Sequence, residues 1–268
     1  MIFVTGASGQ LGRAITHFLS AAGTPVIGGT RTPAPGTDER RIDFDDPDTL
    51  RFAGVDTLVL VSAGYAEDDV VIARHERVVA AAERDGVRHV IYTSVATDGD
   101  HLGFALAHRW TERRLQESSL SWTILRNGIY AELLGALMAP TDGVATAPLG
   151  SGRMAVATRA DLAEAAAVVA SDPAAHAGRV YDLVGSEAVT AEEIARHAGL
   201  RYQPESLEAR REALNAGGLL PFQPSMLLSL FSAAAHGFLA RTGSDLALLL
   251  ARPVTDPVPI AAALVRQA

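Results

Sequence analysis

Three glycines at three-residue intervals, Gly6, Gly9 and Gly12, stand in "VTGASGQLGRAI" between an apolar run and an amphipathic one. Glycines in that setting suit a pyrophosphate. One permits a tight turn, another lets the backbone approach the phosphates, and the last lets helix and strand pack closely. The backbone of Ser8, Gly9, Gln10, Leu11 and Gly12 would then face the anion at the positive end of a helix. The spacing is G-x-x-G-x-x-G, not the commoner G-x-G-x-x-G. Further on, "GGTRT" offers no carboxylate for a ribose 2′-hydroxyl but does offer Arg31, which can pair with a 2′-phosphate. The expected cofactor is therefore NADPH (NADP). Asp43, followed by Phe44, closes "RRIDF", where a carboxylate can accept from an adenine amino group, although acidic residues also end strands for turn reasons. Val61, Ser62 and Ala63 close the next apolar run, where the chain passes near the cofactor. Thr93, in the next apolar run, and Asn127, just after the one beyond it, are both assigned to the cofactor wall.

What is missing matters as much. The chain has no cysteine, and all 23 basic residues are arginines. Thiolate chemistry, Schiff bases and any tyrosine activated by a lysine are excluded. The eight histidines show no H-E-x-x-H or similar spacing, so no metal is expected. Ser94 is placed to bind a substrate oxygen, but without a base it is no nucleophile.

Elements must hold these residues in place. "IFVT" (2–5), "PVIGG" (25–29), "RRIDF" (40–44), "DTLVLV" (56–61), "HVIYTS" (89–94) and "SWTILR" (121–126) read as six strands. Helices are expected over 10–22, 69–85 and 105–118, with a loop at 32–38. Strands this apolar, spaced by helices, predict an α/β fold with a Rossmann-like doubly wound parallel sheet. After residue 128 the pattern changes, and 129–268 is expected to form a smaller, mostly helical C-terminal lobe on the substrate side of a 1–128 dinucleotide-binding domain. A return segment near 153–184 is expected to rejoin the sheet through "RVYDLVG" (179–185). A helix over 158–172 is capped by Thr158 or Asp161, and Thr190-x-x-Glu193 forms a capping box. The large apolar residues of 216–240 belong either to a lid over the strand ends or to an ordinary core helix.

Composition bounds the function further. A net charge of −8 argues against a nucleic-acid surface. No apolar run reaches membrane-spanning length, and "MIFVTGASG" lacks the charged and apolar regions of a signal peptide. A cytoplasmic protein with a small-molecule partner is expected, and a homodimer is left open.

The chain resembles the NmrA-like atypical short-chain dehydrogenase/reductase family, above all its NADPH:quinone oxidoreductase and triphenylmethane-reductase-like branch. The residues that carry this are "VTGASGQLG" (4–12), "GVRHVIYTS" (86–94), "HRWTERRL" (108–115), "TILRNGIYAE" (123–132), "GRMAVATRADLAEAAA" (152–167), "GRVYDLVG" (178–185) and "LALLLARPVTDPV" (246–258). The resemblance implies an NADPH-dependent reductase. Short-chain dehydrogenases use a tyrosine with a lysine four residues on, and here those positions are Phe104 and His108. Hydride transfer survives that loss if the acceptor is quinone-like or otherwise conjugated, because such an acceptor spreads the incoming charge. His108 is the candidate to donate a proton or to bond the nicotinamide ribose, its charge changing near neutral pH. Tyr130, just after the sixth strand, is the second catalytic candidate, as a hydrogen-bond donor or a stacking surface. Branch members usually carry an aromatic residue where this chain has Ile129. Two other readings stand beside the reductase: an NADP-sensing regulator without turnover, and a tailoring reductase for one secondary metabolite.

Overall fold

The computed structural model of the chain describes residues 1–63 and 66–267. The first half runs β1 (Ile2–Val4), α1 (Gln10–Ala21), β2 (Val26–Thr30), β3 (Glu39–Arg41), β4 (Thr57–Val61), α2 (Asp68–Arg84), β5 (His89–Val95), α3 (Ala105–Gln116) and β6 (Ser121–Asn127). There follow α4 (Ala131–Ala136), β7 (Ala139–Thr141), β8 (Val144–Ala147), β9 (Arg153–Met154), α5 (Arg159–Ser171) and β10 (Arg179–Leu183). The chain ends with β11 (Val189–Thr190), α6 (Ala191–His197), β12 (Arg201–Pro204), α7 (Leu207–Ala216), α8 (Gln223–Ala235), α9 (Asp245–Leu250) and α10 (Pro257–Val265).

Seven strands form one sheet in the order β10-β6-β5-β4-β1-β2-β3, with every neighbouring pair parallel. A parallel sheet covered on both faces needs strands apolar on both faces. Val59, Leu60, Val90, Ile91, Ile124 and Leu125 meet that need and are fully buried. On one side α1 and α5 pack against the sheet through Leu11, Ile15, Leu19 and Leu162. On the other, α2 and α3 bury Val78, Val79, Ala82 and Leu115. Strand order reverses direction between β1 and β4, so a crevice opens at their carboxyl ends, where such folds bind ligands.

The third strand is shorter than its apolar run predicts. The chain leaves the sheet at Arg41 because Thr49 Oγ1 accepts the Asp43 N–H at 2.8 Å and Asp43 O accepts the Asp46 N–H at 3.0 Å. That turn takes Asp43 and Phe44 out of the ladder.

Most of the remaining elements share a second core, which includes Leu134, Met138, Ile194, Phe231 and Ala261 and reaches Val95 and Leu102 of the first half, while α9 packs against α5 through Leu246 and Leu250. They add strands to the expected helices: β7, β8 and β12 form a three-stranded sheet, and β9 pairs with β11. Helix α8 buries Leu228, Leu230 and Phe231, while Leu220 and Phe238 on either side stay exposed. The Ser229 hydroxyl accepts the Gly103 N–H at 2.8 Å, docking α8 on the segment that leads into α3. Among the described residues, no helix is long and apolar enough to cross a membrane.

Candidate functional site

The turn between β1 and α1 has the backbone that its glycines predict. Gly6 adopts a φ of 65°, in the left-handed region. A Cβ on Gly12 would lie 2.3 Å from the Gly6 carbonyl oxygen, so only glycine allows α1 to start this close to the loop. Helix α1 begins at Gln10 with no side-chain cap on its N-terminal N–H groups. Uncapped donors at the positive end of a helix are the groups a phosphate binds. Ser8 and Gln10 are exposed on the rim, while the Leu11 side chain is buried against the sheet and only its backbone faces the loop.

Opposite this turn, the end of β4 is held by three side chains from three elements. The Thr5 hydroxyl of the β1 turn accepts the Val61 N–H at 2.9 Å. Thr93 of β5 accepts the Ser62 N–H at 3.1 Å. His75 of α2 accepts the Ala63 N–H through Nε2 at 3.1 Å. The ring of His75 is thereby neutral with its proton on Nδ1, which faces Thr111 Oγ1 at 2.8 Å. Burial pushes His75 down to about 3, in keeping with that state. Thr93 is buried, and its hydroxyl supports Ser62 from behind the β4 end.

Two polar atoms at this end of the sheet are under-used. Asn127 Oδ1 is buried and has no hydrogen-bond partner among the described residues. Ser62 Oγ lies near the Tyr92 hydroxyl but makes no well-formed hydrogen bond. A buried acceptor left unpaired costs about 1–3 kcal/mol, which a polar ligand would relieve. Arg31 follows β2, is exposed and makes no salt bridge among the described residues. Its charge is felt by the Asp45 carboxylate, whose own hydrogen-bonded partner is Arg74 at 2.5 Å. Asp43 Oδ1 accepts the Asp45 N–H at 3.1 Å, so part of its role is the turn itself. The glycine cradle, the uncapped helix and the exposed Arg31 together suit the phosphates of a dinucleotide, and the unpaired Asn127 Oδ1 suits a hydrogen-bond donor of a ligand.

Beyond the crevice, two further candidates are engaged by their neighbours. Ser94 Oγ donates to Glu112 Oε1 at 2.5 Å. His108 does not titrate near neutral pH, because burial pushes it down to about 4. Its Nδ1 sits 2.8 Å from the Tyr92 hydroxyl, and its ring lies against Phe104. Tyr130 caps α4, bridges Ala157 through its backbone and carries the Arg159 guanidinium 5.1 Å above its ring. Its neighbour Ile129 faces the other way. With Val95, Leu102, Met154, Val156 and Leu239, Ile129 lines a narrow apolar cavity beneath the lobe.

Glu112 was not legible as a site residue. It is buried on α3 and binds Arg109 at 2.6 Å and Arg126 at 2.6 Å. Arg109 also donates to the Val95 and Ala96 carbonyls, both at 3.0 Å, and Arg126 donates to Thr97 at 2.8 Å. Asp182 of β10 then accepts from Thr97 and Arg241. This network shapes the carboxyl end of β5 behind the cavity. Its one sequence signal was a set of charges spread over four separate segments.

Comparison with known proteins agrees with this geometry. Residues 6–173 match the NAD(P)H-binding family model. Quinone oxidoreductase 2 of Escherichia coli (strain K12) is 35% identical over 275 residues, covering 95% of each chain. Triphenylmethane reductase of Citrobacter sp., solved with NADP(H), superposes with a TM-score of 0.88 at 28% identity over 100% of this chain and 99% of that one. The NADPH-dependent quinone oxidoreductase of Escherichia coli, solved with NADPH, superposes with a TM-score of 0.87 at 33% identity over 98% and 99%.

Proposed function

The chain belongs to the NAD(P)H-binding family, and we propose that it works as an NADPH-dependent reductase of quinone-like or similarly conjugated small molecules. When bound, NADPH supplies the hydride. The Gly6–Gly12 turn and the α1 N-terminus hold the pyrophosphate, and Arg31 pairs with the 2′-phosphate. Asp43 and Phe44 flank the adenine. The backbone of Val61, Ser62 and Ala63, pinned from behind, forms the wall along which the dinucleotide lies. Asn127 and Tyr130 hold the nicotinamide end.

The observation that carries the choice of acceptor is the pair Phe104 and His108. A ketone reduced by hydride becomes a strongly basic alkoxide and needs a proton at once. Phe104 has none to give, and a histidine held near pKa 4 is not an imidazolium at neutral pH. Hydride delivered to a quinone gives a delocalised hydroquinone monoanion, which a hydrogen bond can stabilise and which takes its proton from water. The loss of the acid therefore selects the acceptor.

Purified protein with NADPH and 1,4-naphthoquinone should lose absorbance at 340 nm steadily. Cyclohexanone should react at least about a hundredfold more slowly, the factor a missing general acid typically removes. Comparable rates on both would overturn the acceptor assignment, and no turnover across a panel of quinones and conjugated dyes would overturn the reductase reading.

A further inference from the structure

Tyr92 of β5 and His108 of α3 meet with Oη and Nδ1 2.8 Å apart, and Tyr92 also lies beside Ser62 at the β4 end. Either atom could carry the proton between them, and the surroundings decide which. Tyr92 is fully enclosed, and burial pushes its hydroxyl well above the ordinary tyrosine range, so it stays protonated. Thr111 has no proton to spare for Tyr92, because its hydroxyl donates to the Ala107 carbonyl at 2.8 Å while accepting from His75 Nδ1. Ser62 Oγ has no well-formed bond and can donate toward Tyr92 Oη. The direction Ser62 to Tyr92 to His108 satisfies every group along it. The opposite direction asks the weakly accepting phenol oxygen to take the ring proton and turns the Tyr92 proton to the second lone pair of Thr111 Oγ1, a poorer acceptor than an imidazole nitrogen.

We propose that Tyr92 is a positioning residue: its hydroxyl donates to His108 Nδ1, holds the imidazole as the neutral Nε2–H tautomer, and leaves one N–H free for the acceptor oxygen. The proposal rests on the reading of His108 as a site residue. It supplies a donor built across two elements where a short-chain dehydrogenase would build one on a single helix. His108 Nε2 has no partner among the described residues, and it lies on the side of the ring away from Tyr92. The charged and titratable groups around the ring are Tyr92 from β5, His75 from α2, and Arg109 and Glu112 from α3 itself. Arg109 opposes a second proton on the ring and Glu112 favours one, while burial outweighs both. His108 thus acts by donating a hydrogen bond, and no proton leaves the ring.

Long-range 1H–15N correlation NMR on the intact protein with 15N-labelled histidine reads the tautomer directly, His108 being assigned by its absence in His108→Gln. The expected spectrum shows Nδ1 unprotonated and Nε2 protonated, unchanged from pH 8 to about pH 5.5. In Tyr92→Phe the two nitrogens should move toward averaged shifts. Naphthoquinone kcat should fall about tenfold, the loss expected of one directed hydrogen bond, while KM for NADPH stays within about twofold. His108→Gln, whose amide nitrogen overlies Nε2, should retain more activity than His108→Asn, whose amide nitrogen overlies Nδ1. A protonated Nδ1 in the unmodified protein would overturn the proposal, as would an unchanged tautomer in Tyr92→Phe. Should Tyr92→Phe fail to fold, the unmodified spectrum still decides. If the tautomer is as proposed but no acceptor is reduced, the reductase reading fails and the positioning role stands.

Discussion

In the proposed reading, Arg31 carries the choice between the two nicotinamide dinucleotides. It stands exposed after β2, with no salt bridge among the described residues, so its cost in the free protein is small and its gain comes on binding a phosphate. Arg31→Ala should raise the dissociation constant for NADPH about 10- to 100-fold, the range for a charge-assisted hydrogen bond. NADH should change less than about threefold. Fluorescence titration of both cofactors tests this, and equal weakening would sink the 2′-phosphate assignment. Glu112 is the opposite kind of charge, buried and shared by Arg109 and Arg126. Replacing it with alanine leaves the part-buried Arg126 without its ion-pair partner and Arg109 with Asp100 alone. The expected loss is about 3 kcal/mol, read as a lower urea midpoint. A midpoint within error of the parent would mean that Asp100 and Thr97 suffice as partners.

The first βα unit works as a single part. Its strand ends at Val4, the glycine turn reverses the chain, and α1 starts so close that Gly12 has no room for a methyl group. Gly12→Ala must push α1 away from the loop or lose it. A loss of about 1–3 kcal/mol from overpacking should come with loss of NADPH binding, measured by thermal shift with and without cofactor. A full cofactor-induced shift in that variant would contradict the cradle. Far from the crevice, α6 is held by the Thr190–Glu193 capping box, with both reciprocal hydrogen bonds present. Thr190→Ala should cost about 1 kcal/mol with turnover unaffected. Helix α5 shows how neighbours sort similar residues. Thr158 caps it, while Asp161 turns instead to Arg252 and Thr255 and ties down the chain before α10.

Over the whole molecule, three histidines are held in the uncharged form, His75 and His89 buried and His108 half-buried. His75 is pushed down to about 3, and His89 and His108 to about 4, in each case chiefly by burial. In the unfolded chain all three take up protons near pH 6.5. Between pH 6.5 and about 4 the unfolded state therefore binds more protons than the folded one, and stability falls as pH falls. Above pH 6.5 the contribution is fully present. Each group weighs up to about 1.4 kcal/mol per pH unit inside the window. Urea midpoints should drop steadily from pH 7 to pH 5, and a flat profile would mean that the rings are solvated. Reductase activity should stay level over the same range in the folded protein, since His108 does not change charge there.

Much of this was open to sequence reading. The apolar runs marked six strands of the central sheet to within a few residues, because a strand covered on both faces must be apolar throughout. Spacing alone exposed the glycine cradle and the capping box, since each is a local device within a few residues. The absence of lysine and cysteine was final from the start. The third strand was drawn too long, because Thr49 pulls Asp43 into a turn that no run of apolar residues announces. The pinning of the β4 end by Thr5, Thr93 and His75, and the Glu112 network, were hidden for the same reason: their members are far apart in the chain and unremarkable one by one. His108 shows the division best. Sequence set its residue type and its place beside Phe104 on α3. Its charge and its bond to Tyr92 were decided only by tertiary structure, because a histidine's pKa depends on the water that folding removes and on which partner folding brings to Nδ1.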